Sequence, residues 1–281
     1  MQTETSEGPR TLRVRKMDFP FKSAGVPRWW LHGNPVLTHA ANGLNLLFPP
    51  GERFFIRSVK HYLDRIQDDP ELVQRVKAFF GQEGRHGHEH ERFNAILEAQ
   101  GYDLEKFLRV YQKLAFAGIE RVAPPVLRLS ATVALEHFTA TMARTGLQAR
   151  FLDGAHPVVA ELLRWHAAEE IEHKSVAWDV LQRVDPRYSV RIAGLAVATT
   201  QLLGWWMVAT TYLLSQEKLT ARERRAYARE GRRVREETGG MTRRKLFREA
   251  ILEYLERDFH PDRHDDYALA RDYLRSVGAE G

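Results

Sequence analysis

Two stretches of the chain carry residues able to do chemistry together. In FFGQEGRHGHEHERF, residues 79–93, three Glu (Glu83, Glu89, Glu91) and three His (His86, His88, His90) fall within nine positions. In WHAAEEIEHKSVAWDV, residues 165–180, His166, Glu169, Glu170 and His173 crowd together in the same way. Residues three, four and seven apart share one face of a helix, because about 3.6 residues make a turn. Phe79, Glu83, His86, His90, Phe93 and Leu97 therefore form one stripe, apolar at its ends and Glu-His-His in its middle. Leu163, His166, Glu170, His173, Ala177 and Leu181 form a second stripe of the same kind. Charged groups on a core-facing stripe are costly unless they are paired or coordinate something. His88, Glu89 and Glu91 fall off the first stripe and are expected to face water.

Glu83-Gly84-Arg85-His86 and Glu170-Ile171-Glu172-His173 are both Glu-x-x-His. Two such motifs on two long helices, with one further Glu from each of two other helices, make up a bundle arrangement that holds di-iron or di-manganese centres. The preceding helices offer Glu52, in line with Phe55, Ile56, Val59, Leu63 and Ile66, and Glu136, in line with Leu129, Val133 and Ala140. Each single Glu precedes its motif by a similar distance, 31 and 34 residues. Two divalent ions carry a charge of about +4, which four carboxylates balance, and an oxygen-rich set with one imidazole per ion suits iron or manganese. The candidate metal ligands are Glu52, Glu83, His86, Glu136, Glu170 and His173.

Competing readings stand beside these. Glu52 follows Pro-Pro-Gly, and a carboxylate early in a helix favours the dipole without any metal. Glu169 competes with Glu170, and the Glu-x-x-His spacing favours Glu170. His137 adjoins Glu136 and points about 100° away, as a core residue or a partner behind the ligands. His90 and His166 exceed the minimal set, and the sequence leaves them open as added ligands, outer partners or proton shuttles.

Apolar positions recur at three and four residues from Pro49 onward, with no convincing period-two run, so the fold class is all-α. Helices are expected at 52–67, 70–100, 103–118, 124–147, 157–183, 187–215, 218–236, 242–258 and 264–277. Breaks fall at Asp69-Pro70, Gly101, Pro124-Pro125, His156-Pro157 and Asp185-Pro186. Residues 1–48, turn-rich and aromatic, are expected to wrap the core. Residues 49–215 would form the metal-binding helical domain, and 216–281 a basic helical appendage.

The chain has 281 residues, no Cys and a net charge of +5, so any metal must be held by His and carboxylate. Residues 218–248 hold twelve Lys/Arg against four Glu. With few aromatics and no recognisable reading module, this segment is expected to be a solvated or phospholipid-facing surface rather than a nucleic-acid site. Residues 192–214 are 23 positions without a charge. Burial or a subunit interface, as in a homodimer, ranks first for them, then attachment to a membrane surface, then a bilayer span. The polar N-terminus lacks a secretory h-region, which makes the cytoplasm the expected location.

FPPGERFFIRSVKHY, GQEGRHGHEHERFN, ALEHFT and WHAAEEIEHKSVAWDV together resemble the bacterial family of predicted metal-dependent hydrolases, over roughly residues 10–260. The resemblance implies a ferritin-like four-helix bundle core and a metal site more firmly than it implies hydrolysis. The expected function is a dinuclear enzyme, with iron first and manganese or zinc next, that activates dioxygen to oxidise a small organic, lipid-like substrate. The alternative is hydrolysis by a metal-bridging hydroxide, and a third reading is a ferroxidase or iron-storage protein.

Overall fold

The computed structural model describes residues 12–240 and 242–279. Its helices are α1 (Phe21–Ala24), α2 (Pro35–Asn45), α3 (Phe48–Lys60), α4 (Pro70–Ala99), α5 (Glu105–Tyr111) and α6 (Ile119–Val122). They continue as α7 (Pro125–Gln148), α8 (Pro157–His173), α9 (Val176–Val184), α10 (Tyr188–Ser215), α11 (Ala221–Glu237), α12 (Arg243–Tyr254) and α13 (Tyr267–Ser276). Among the described residues no strand forms, only one isolated bridge between Leu31 and Ala155. The all-α expectation holds.

Helix starts follow local chemistry. Asp69 accepts from Leu72 N ahead of Pro70, and Asn34 accepts from Val36 N and Leu37 N ahead of Pro35. Thr220 and Glu223 form a reciprocal capping box at the start of α11. α3 begins at Phe48, four residues before the expected start, because Pro49 and Pro50 fit a first turn whose N–H groups need no helical partner. It ends at Lys60 rather than at 67 and is followed by one 3-10 turn, Leu63–Arg65. The helix expected over 157–183 is two: α8 ends at His173, and a turn at Lys174 and Ser175 redirects α9. There the Lys174 ammonium is buried, bonded to His264 O at 2.8 Å and Asp266 at 2.5 Å. Within the N-terminal segment, α2 is an eleven-residue helix that packs on α10.

α3 pairs with α4, α7 pairs with α8, and the two pairs meet through α3 against α7 and α4 against α8. This places the four expected site helices around one interior. α10 lies against α2 and α7, burying Gly194, Leu195, Ala198, Leu202, Trp206, Ala209 and Leu213. From Leu195 on those positions are three and four apart, and with Gly194 they make one helix face. On the other face Met207 is 62% and Val208 48% exposed. α10 is long and apolar enough to cross a membrane, and its packed face gives its apolarity a second use.

Candidate metal centre

Each expected ligand is brought to the same interior. α3 supplies Glu52, α4 Glu83 and His86, α7 Glu136, and α8 Glu170 and His173, all at least 97% buried. Among the described residues, three groups place a ligand atom from each member within 4.8 Å of the others. They are Glu83 with Glu136 and His173, Glu83 with His86 and Glu170, and Glu52 with His86 and His166. His166, left open by the sequence, thus stands among the ligand candidates. Glu83 and His86 each belong to two of the groups, so the three share one interior.

Outer partners orient the three imidazoles. Arg15 donates to Glu169 at 3.0 Å, and Glu169 faces His86 Nε2 at 2.9 Å. Burial pushes the Glu169 pKa up against the pull of Arg15; with Glu169 held ionised by that arginine, His86 Nε2–H donates to it and the bare Nδ1 turns towards Glu170, 3.7 Å away. Gln82 spends its amide N–H groups on Arg13 O and Glu172, which leaves its oxygen to accept from His173 Nδ1 at 3.0 Å. His173 Nε2 then faces Glu83 at 3.1 Å, Glu136 at 3.4 Å and Glu170 at 3.6 Å. Asn45, tied to Asn94, directs its oxygen at His90 Nδ1 (2.6 Å), and His90 Nε2 meets His166 Nδ1 (2.6 Å). Protons assigned along that chain leave His166 Nε2 facing Glu170 Oε1 at 2.7 Å.

The residues present fit metal cations. Both oxygens of Glu52, Glu83 and Glu136, with Glu170 Oε2, His86 Nδ1 and His173 Nε2, are buried without a hydrogen-bond partner. Native interiors rarely leave so many polar atoms unpaired in one place, and lone pairs aimed at carboxylates repel unless positive charge lies between them. Burial pushes the Glu52 and Glu136 carboxyls well above the usual range, and the charges of Glu83 and Glu170 push the same way. Burial also opposes charge on His173, but Glu136 and Glu170 overcome it and hold its pKa well above the ordinary value. Burial, and then the neighbouring His166, hold His86 and His90 well below it. Without metal, protons supply part of the missing positive charge.

His90 lies behind His166 as its partner. His137 turns away from the cluster, bonds Ala250 O at 2.9 Å and packs on Tyr254 and Phe259. Glu169 is the partner behind His86, and Glu170 faces the cluster, as the spacing favours. His88 and Glu91 face water as expected. Glu89 does not: it is fully buried and held by Arg92 at 2.7 Å and Arg85 at 3.6 Å. An N-terminal segment running over α4 closes the face that a lone helix would expose. It also brings Arg15, which no local sequence signal marks. Asn45, Gln82 and Asn94 were equally silent, although Gln82 adjoins Glu83 and Asn94 sits one turn beyond His90.

Beside the cluster lies a cavity of about 350 Å³, walled mainly by apolar side chains of α2, α7, α8 and α10, with His166 and Glu170 on its deep side. Leu44, Phe48 and Thr139 line both this cavity and a smaller one, about 70 Å³, that reaches Glu52. The Phe48 ring packs on His90 and His166 at 4.8 and 4.6 Å between centroids.

No curated protein and no solved structure matches the chain. The family described as predicted metal-dependent hydrolase matches residues 13–265, which include every residue of the cluster and its outer partners. With a match over nearly its whole length, the chain belongs to the predicted metal-dependent hydrolase family.

Proposed function

We propose that the protein is a dinuclear metal enzyme acting on a small, largely apolar molecule that enters the 350 Å³ cavity. The observation that carries this reading is the set of unpaired carboxylate oxygens and imidazole nitrogens beside an apolar cavity. Glu52, Glu83, Glu136, Glu170, His86, His166 and His173 would hold the ions. When bound, such ions act as Lewis acids, activating water or providing a site for dioxygen. Arg15 with Glu169, Gln82, and Asn45 with His90 keep the three imidazoles turned inward. Phe48, Met142 and Leu163 exclude bulk water from the cavity side.

Hydrolysis is the first reading of the reaction, supported by family membership. Oxidation with dioxygen, with iron as the metal, is the second. It is favoured by the carboxylate-rich donor set and by apolar walls that keep a reactive oxidant from competing groups. A cavity sized for an organic molecule argues against storage of iron as the main task. The deciding experiment loads the protein with zinc, manganese or ferrous iron under nitrogen and assays apolar esters and amides, then admits oxygen to the iron form. Turnover under nitrogen with zinc or manganese supports hydrolysis. Oxygen uptake with a transient visible absorption, confined to the iron form, supports oxidation. Failure to bind close to two metal ions per chain would sink both.

A further inference from the structure

The solvent side of the same cavity carries a cation. Arg235, in the last turn of α11, lines the cavity together with Thr242, and both reach solvent while His166 and Glu170 are buried. Arg235 Nε is buried without a hydrogen-bond partner, and among the described residues no carboxylate pairs with this guanidinium. Burial, and then the like charge of Arg232, lower the Arg235 pKa against the opposing pull of Glu236, which lies close without pairing with it. A buried Nε–H without an acceptor is costly, and the guanidinium's planar fork of donors, open to solvent at its tip, matches carboxylate and phosphate oxygens. Between the two sides the walls are apolar, formed by Leu37, Leu44, Phe48, Met142, Leu163 and Trp206. Glu170 on the deep side disfavours an anion there.

We propose that the cavity binds an amphipathic acid, with its anion on Arg235 and its apolar end against the metal cluster. Its size is at the lower end of ligand pockets, about 300–1,000 Å³, so the ligand is a single short apolar chain. The reacting bond then lies at the end of the molecule remote from the anion. That last step rests on reading the cluster as a metal centre, whereas the binding does not.

The test uses the full chain, metal-loaded and chelator-stripped, with decanoate, decyl phosphate and decanol as probes, read by calorimetry and by the change in intrinsic tryptophan fluorescence, to which Trp206 in the cavity wall contributes. Decanoate or decyl phosphate should bind one per chain at least about tenfold tighter than decanol, and the better of the two identifies the anion. Arg235→Gln should remove that preference while leaving decanol binding unchanged, and Arg235→Lys should restore part of it. Gly146→Leu, at a lining position where an added Cβ meets no atom within 4 Å, should weaken all three probes. The proposal is overturned if neither anion is preferred, if Arg235→Gln binds the anion like the wild type, or if stripping the metal abolishes anion binding. Metal content measured on the same samples separates the two readings. An anion preference in protein that takes up no metal on loading would remove the metal enzyme alone, and two ions with no anion preference would remove this proposal alone.

Discussion

At the residue scale, the cluster is held from behind as much as from within. Replacing Glu83, His86, Glu136, Glu170 or His173 by Ala should each lower the metal content, measured by elemental analysis; two ions per chain in all five variants would overturn the assignment. Glu169→Gln keeps the shape but weakens the charge that fixes His86. It should lower metal affinity by about 10–100-fold in chelator competition, a typical loss for such outer partners. Protons and metal compete for the same atoms, since Glu52 and Glu136 hold protons well above the usual carboxylate range and His173 well above the imidazole range. Metal uptake should therefore release protons, and affinity should fall as pH is lowered from 8 to 5. Affinity that rises on acidification would contradict this picture.

At the element scale, two glycines of α10 separate close packing from helix propensity. A Cβ on Gly194 would come within 2.4 Å of Ser130 C and 2.6 Å of Ser130 O, backbone atoms of α7 that cannot turn aside. Alanine gains about 0.8–1 kcal/mol of helix propensity over glycine, but forcing α10 and α7 apart costs about 1–3 kcal/mol. Gly194→Ala should thus unfold at a lower temperature. Gly204→Ala, where an added Cβ meets nothing within 4 Å, should be neutral or slightly stabilising. The end of α10 is fastened by Glu217, buried against His39 (2.8 Å), Trp29 and Arg28 (both 3.1 Å), and the Tyr102 hydroxyl. Burial pushes the Glu217 pKa up, but hydrogen bonds from Tyr102, His39 and Trp29 and the charge of Arg28 outweigh it and hold the pKa at about 2. A depressed carboxylate pKa stabilises the fold above the unfolded value near 4.5 and ceases to do so as pH falls through about 2. Glu217→Gln should lose about 1–3 kcal/mol at pH 7, with the gap to wild type closing in denaturant titrations below about pH 4.

At the scale of the whole molecule, the cluster joins helices that are far apart in the chain, and both ends of the described chain reach it. Arg15 bonds Glu169 and Ala279 O, and Lys174, the residue after His173, bonds Asp266. Metal binding and folding should therefore be linked. At metal concentrations about 100 times Kd the fold should gain about 2.7 kcal/mol, read as a higher Tm that a chelator reverses. An unchanged Tm on loading would mean the ions bind folded and unfolded chains alike.

The helical class, the starts at Asp69-Pro70 and His156-Pro157, and the meeting of Glu83, His86, Glu170 and His173 on interior faces were all readable from spacing. Spacing along a helix is a local property, and each Glu-x-x-His motif carries its own face with it. Glu52 and Glu136 were readable only as members of a pattern made twice. Tertiary structure alone placed His166 among the ligand atoms and His90 behind it, because both share one stripe with the ligands and only neighbouring helices distinguish their depth. It alone buried Glu89 and set Arg15 beside Glu169, since a segment without periodicity carries no signal of where it docks. The cavity that ends on Glu170 and opens beside Arg235 is likewise a product of packing. Its walls come from several helices, and the space between them is a property of no single one.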